Sequence, residues 1–148
     1  MTAGCLCCAQ NYEFLDALFG EAIVAFGTSD IFHAGGDEFD AGCWDSVPAV
    51  KAFRLARNWT ATQLLQHYMT NIFTTITKRG KAPMVWKPGV ADHLPTAVLP
   101  DNLIFDLYSG PTQLPPDGQG GYNISAAAVT AQGYRCVSML SVMRSYKM

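Results

Sequence analysis

Apolar positions along the chain alternate between helical spacing and short continuous runs. From residue 12 to residue 26, Phe14, Leu15, Leu18, Phe19, Ala22, Ile23 and Phe26 recur at three- and four-residue steps, which predicts a helix with one apolar face. Asn11 is placed to cap its start and Gly27 to end it. Ile31 to Ala34 is a short apolar run that meets Gly35-Gly36, as a buried strand entering a tight turn would. A second helical zone covers Pro48 to Arg57. A third helix begins at Thr60, which forms a capping box with Gln63. Leu64, Leu65, Tyr68, Met69, Ile72, Phe73 and Ile76 make its apolar face, Lys78 and Arg79 suit the negative end of its dipole, and Gly80 stops it. Pro83 to Trp86 reads as a strand halted by Pro88-Gly89, and Leu103 to Tyr108 as another. Gly110 to Gly121 is a Pro- and Gly-rich loop, 124 to 132 an Ala-rich helix ending at Gly133, and Tyr134 to Leu140 a further strand. Such regular alternation predicts an α/β fold with a parallel sheet, either doubly wound or a piece of a barrel. No internal repeat is visible.

Composition narrows the classes. The chain has 148 residues, 49% apolar and 15% charged, which is globular and large enough for one domain with a core. A net charge of −2 gives no electrostatic reason to expect nucleic acid. No apolar run approaches the roughly 18 residues of a membrane span. Met1 to Gln10 lacks the charged and apolar regions of a signal peptide and reads as an unmatched leader. Of the five cysteines, Cys5, Cys7 and Cys8 cluster there without zinc-ligand spacing, so no metal and no cofactor are expected. Asn58-Trp59-Thr60 and Asn123-Ile124-Ser125 are acceptor triplets that lean slightly toward a secretory route.

The chemistry concentrates in His33-Ala34-Gly35-Gly36-Asp37-Glu38-Phe39-Asp40. Two carboxyl groups sit side by side where a strand ends, and strand C-termini are where α/β folds build their sites. Neighbours on a regular strand point to opposite faces, so Asp37 and Glu38 share a pocket only if the chain leaves strand geometry there. Gly35 and Gly36 permit that. Two close like charges push one proton affinity up, which keeps a proton for general acid work. On these residues alone a solvated acidic turn, or a divalent cation held by Asp37, Glu38 and Asp40, stays open beside the catalytic reading.

His33 to Glu38 resembles the H-x-G-G-D-E signature of glycoside hydrolase family 20, the β-N-acetylhexosaminidases. Cys43-Trp44 follows at the family's distance. Asn11 to Phe14 is similar to the helix before that strand, Gly80 to Trp86 to the next barrel strand, Pro100-Asp101 with Leu103-Ile104 to the one after, and Gly133 to Arg135 to the lead-in of another. The resemblance covers about residues 11 to 138, with 11–148 taken as a partial catalytic barrel. It implies part of a (β/α)8 TIM barrel, about strands four to seven with their helices. It also implies substrate-assisted, retaining hydrolysis of terminal N-acetylglucosamine or N-acetylgalactosamine, an exception to the two-carboxylate scheme. In that pattern Glu38 is the general acid/base, and Asp37 orients the acetamido group and stabilises the oxazolinium-like intermediate. Trp86 matches a pocket tryptophan, Tyr108 lies near another pocket aromatic, and His33 matches the signature histidine; these are the expected substrate-binding residues. Trp44 is expected to pack, and Cys43 matches a position that is disulfide-bonded in some relatives.

The expected partners are N-acetylhexosamine-terminated glycans. Full-length relatives bring in a homodimer and a lysosomal or secreted location. A barrel takes about 250 residues, and the sugar-binding Arg, a second pocket histidine and the last barrel tryptophan have no counterparts in this chain. The alternative to an active glycosidase is therefore a truncated non-catalytic remnant or a carbohydrate-binding barrel fragment.

Overall fold

A computed structural model describes residues 9–37, 40–107 and 126–138. In chain order it holds α1 (Ala9–Ala25), β1 (Ile31–His33), α2 (Ala41–Asp45), α3 (Pro48–Ala56), α4 (Ala61–Lys78), β2 (Ala82–Lys87), β3 (Ile104–Leu107), α5 (Ala126–Ala131) and β4 (Arg135–Ser138). Two short 3₁₀ turns, Val90–His93 and Thr96–Val98, lie between β2 and β3. The strands form one sheet in the order β1-β2-β3-β4, every pair parallel. The sequence expectation of a parallel sheet with interleaved helices holds.

The capping box that predicts α4 is present: the Thr60 hydroxyl accepts from Gln63 N–H, and the Gln63 amide oxygen accepts from Thr60 N–H. Its apolar face is buried from Leu64 to Ile76. Where strand residues pair side by side, alternation assigns them to faces. Val85, Phe105 and Leu107 point toward the helices and join Leu65, Met69, Phe73, Leu103 and Val129 in one core. Val50 and Leu64 start a smaller cluster that Trp59 and Phe53 flank. Trp44 packs against both clusters, its ring 6.2 Å from that of Tyr68. The opposite face carries Ile31, His33, Met84, Trp86, Ile104, Asp106, Arg135 and Val137.

Three expectations need correction. β1, expected to be a buried strand, leaves Ile31 and His33 exposed, because it lies at the edge of the described sheet. α1 starts at Ala9 instead of residue 12, so Asn11 lies inside it and not at its cap; Ala9 and Gln10 are ordinary helix formers that let the helix begin a turn earlier. Its apolar face is also broader than what it packs on. Phe19 meets Phe32 at 4.8 Å between rings, and Tyr12 meets His67, but Phe14 is 66% exposed and Leu18 45%, because no described residue covers that flank. Arg79 fastens α1 to the end of α4 through both carboxyl oxygens and the carbonyl of Asp16. α2, which periodicity does not reveal, is a five-residue turn capped by Asp40 Oδ1 on Gly42 N–H at 2.7 Å.

At the C-terminal ends of β1 and β2 the backbone itself makes the joint. Ala34 N–H donates to the Met84 carbonyl at 2.8 Å, Trp86 N–H to the Gly35 carbonyl at 3.0 Å, and Val90 N–H to the Gly36 carbonyl at 2.7 Å. Gly35 and Gly36 reach these positions at φ of 72° and 86°, a region that side chains disfavour. Gly89 is required for a different reason. A Cβ there would stand 2.2 Å from the Gly36 oxygen and 2.7 Å from the Trp86 oxygen. Asp92 fixes the loop below, accepting from Gly89 N–H at 2.9 Å and pairing with the Lys87 ammonium.

A graded cost follows for alanine. At Gly80, where only the positive φ opposes a side chain, the loss is about 1 kcal/mol. Gly36→Ala adds a 2.7 Å clash with Val90 and costs more. Gly89→Ala meets backbone that cannot rotate away and costs the most, above about 3 kcal/mol. Urea midpoints of the three variants check the order.

A second prediction concerns pH. His67 lies among Tyr12, Phe53 and Trp59, with the Arg57 guanidinium 3.6 Å above the Phe53 ring. Burial first, and the Arg57 charge second, lower its pKa from 6.5. Tyr12, in the same seam, is pushed up to about 12 by burial and by Tyr68. A lowered histidine pKa leaves stability intact above about pH 6.5 and erodes it below, where the unfolded chain takes a proton that the folded chain refuses. Between about pH 7.5 and about pH 5.5 the urea midpoint of the wild type should therefore drop further than that of His67→Gln.

Candidate active site

β1 ends at His33, whose side chain leaves the sheet on the face turned away from the helices. The same face presents Trp86 from β2 and, directly beside it in register, Asp106 from β3. The imidazole of His33 and the indole of Trp86 lie 4.5 Å apart between ring centres, tilted by 53°. His33 Nδ1 accepts from Gly35 N–H at 3.0 Å, and its Nε2 stands 3.5 Å from Asp106 Oδ2. The structure therefore brings together two of the residues singled out in the sequence, His33 and Trp86, across neighbouring strands.

Asp37 follows directly on the Gly35-Gly36 turn and is exposed. Glu38 and Tyr108 lie outside the described residues. Asp40, one of the three oxygen donors of the cation alternative, uses Oδ1 to cap α2. Among the described residues no three His, Cys, Asp or Glu side chains stand close enough to hold a metal ion. Cys43 is exposed and Cys136 half-buried, and both are free thiols among the described residues; the cysteines at 5, 7 and 8 lie outside them. The acceptor Asn58 is exposed at φ 53° in the turn between α3 and α4, and the second triplet, at 123, is not described.

The site also contains a group that sequence reading passes over. Asp106 is 7% exposed, between Phe105 and Leu107 on a strand buried along its whole length. Its Oδ1 has no hydrogen-bond partner among the described residues. The hint in the sequence is a lone carboxyl inside Leu-Ile-Phe-Asp-Leu, a placement that is costly unless something uses it. Lys87, by contrast, points to the helix side, where its ammonium sits 4.9 Å from the Phe105 ring centre and pairs with Asp92; it stabilises the loop and is not part of this face. The face as described offers the Trp86 indole, an imidazole with one nitrogen fixed and a buried acceptor. That set suits a polar ligand with an apolar ring face, such as a pyranose.

Comparison with known proteins fits this arrangement. A sequence profile of glycosyl hydrolase family 20, catalytic domain, matches residues 2–136. The chain is 35% identical over 50 residues to a chitooligosaccharidolytic β-N-acetylglucosaminidase of Ostrinia furnacalis, covering 34% of this chain and 8% of that protein. It is 34% identical over 97 residues to the β-hexosaminidase subunit alpha of Mus musculus, covering 64% of this chain and 18% of that one. The fold is similar to the chitobiase of Flavobacterium johnsoniae, with a TM-score of 0.64 at 25% identity over 90% of this chain and 19% of the other. It is equally similar to a β-N-acetylhexosaminidase of Bacteroides fragilis, with a TM-score of 0.65 at 18% identity over 90% of this chain and 25% of that one. The chain thus spans less than a fifth of the length of these two curated relatives. Its sheet corresponds to part of the family's (β/α)8 barrel, and the chain belongs to glycosyl hydrolase family 20 as a segment of the catalytic domain.

Proposed function

We propose that this chain supplies the acid/base corner of a β-N-acetylhexosaminidase, hydrolysing terminal N-acetylglucosamine or N-acetylgalactosamine from glycans. One observation carries the reading. The strand that opens the signature, β1, ends at His33 and turns through Gly35-Gly36 into Asp37, with the ring of His33 against that of Trp86 on one sheet face. The named activities of the insect and mouse relatives support the substrate class.

In this reading the sugar ring stacks on the Trp86 indole, where an apolar face meets C–H bonds. The acetamido oxygen attacks the anomeric carbon while Glu38 protonates the departing glycosidic oxygen; Glu38 then takes a proton from the water that opens the intermediate. Asp37 holds the acetamido N–H and offsets the positive charge that grows on the oxazolinium ring. The Gly35-Gly36 turn that leads into Asp37 is held by backbone hydrogen bonds, which supports an Asp37 that meets substrate already placed. Tyr108, the residue after β3 in the sequence, is the further substrate-binding aromatic of this reading. The exposed Asn58 supports a secretory route and, with it, a lysosomal or secreted location. Relatives named as subunits support assembly with a second chain.

The test is hydrolysis of a chromogenic N-acetylglucosaminide by the wild-type chain, by Glu38→Gln and by Asp37→Asn. Each variant should lose about 10²-fold or more in kcat. A wild type as inactive as both variants would replace this reading with that of a non-catalytic remnant.

A further inference from the structure

We infer that Asp106 is a positioning residue for the Gly35-Gly36 turn that leads into Asp37, acting through His33. The inference rests on the proposed glycosidase reading only for its catalytic consequence; the linkage itself is a matter of geometry. Asp106 stands on β3, yet the turn it serves belongs to β1, two strands away.

The coupling runs through the two nitrogens of one ring. His33 Nδ1 accepts from Gly35 N–H, so it carries no hydrogen, and the ring's single hydrogen belongs on Nε2. Nε2 faces Asp106 Oδ2 at 3.5 Å. A carboxyl oxygen there favours this tautomer. The opposite one would set an Nδ1 hydrogen against Gly35 N–H and a lone pair against the carboxyl. Asp106 thus keeps the Nδ1 lone pair available to the Gly35 amide. That amide opens the pair of left-handed residues, φ 72° and 86°, which turns the chain into Asp37. Nothing else on the described residues explains the carboxyl. Its neighbours Ile104, Phe105 and Leu107 are buried and apolar, and Oδ1 has no partner among the described residues. The contact with His33 is its one described side-chain interaction.

The test uses the full chain as wild type, Asp106→Asn and Asp106→Leu. Asparagine keeps an oxygen for Nε2–H; leucine removes it while suiting a buried strand, so the variant folds even if a smaller residue would not. Long-range proton–nitrogen NMR of the histidines should show wild-type His33 and Asp106→Asn as the Nε2–H tautomer, with Asp106→Leu moving to a mixture. The Gly35 amide should exchange about tenfold faster in Asp106→Leu, while core amides such as Val85 stay unchanged. On the chromogenic N-acetylglucosaminide, Asp106→Leu should lose about tenfold to a hundredfold in kcat with KM within about twofold, and Asp106→Asn should recover most of it. An unchanged His33 tautomer and Gly35 exchange rate in Asp106→Leu would overturn the linkage. So would an asparagine variant that behaves like the leucine one. If the wild type does not hydrolyse the substrate, the glycosidase reading fails, and the NMR arms still decide the linkage.

Discussion

The seam between the ends of β1 and β2 is the constraint on which the site depends. Three backbone hydrogen bonds, from Ala34, Trp86 and Val90, lock two strand exits together and leave no room for a side chain where Gly89 passes the Gly36 carbonyl. Backbone groups carry this joint, so it holds whatever side chains the face turned away from the helices presents. A buried backbone polar group left unpaired is costly, and here each carbonyl of the turn finds a partner. The Gly35-Gly36 turn that leads into Asp37 therefore rests on a joined strand pair.

Much of this was legible in the residues. The capping box at Thr60 and Gln63 announces α4, and the 3.6-residue spacing names the side chains it buries, because both are local effects. The signature around Gly35-Gly36 announces the turn, since few other residues accept those φ values. The joint was not legible, because the tightest approach at Gly89 is to the Gly36 oxygen, 53 positions earlier in the chain. Asp106 escaped for the same reason: its neighbours along the strand say core, and only the sheet register sets it beside Trp86 and near His33. α1 misleads in the opposite direction. Periodicity marks an apolar face but not how much of it is covered.

The aromatic seam around His67 shows how charge and burial divide the work between helices. Arg57 lies over Phe53 and also shields Trp59, so a cation covers an apolar surface that would otherwise face water. On the far side Arg79 ties α4 to α1 with a two-pronged grip on Asp16. The Arg57 contact is local to the end of α3, whereas the Arg79 contact joins helices distant in sequence and helps fix the helical layer behind the sheet.

The two sides of the sheet are unequal in what they contribute. Helix-side residues are closely packed, whereas on the opposite side Ile31 is 37% and Val137 45% exposed. At the two edge strands cohesion thus comes mostly from the helix side, while Ile104 and Asp106 are buried in the middle of the other. Mutational drift at exposed edge positions such as Ile31 and Val137 can alter which molecule is recognised at little thermodynamic expense, which leaves ligand preference free to diversify among descendants of one scaffold.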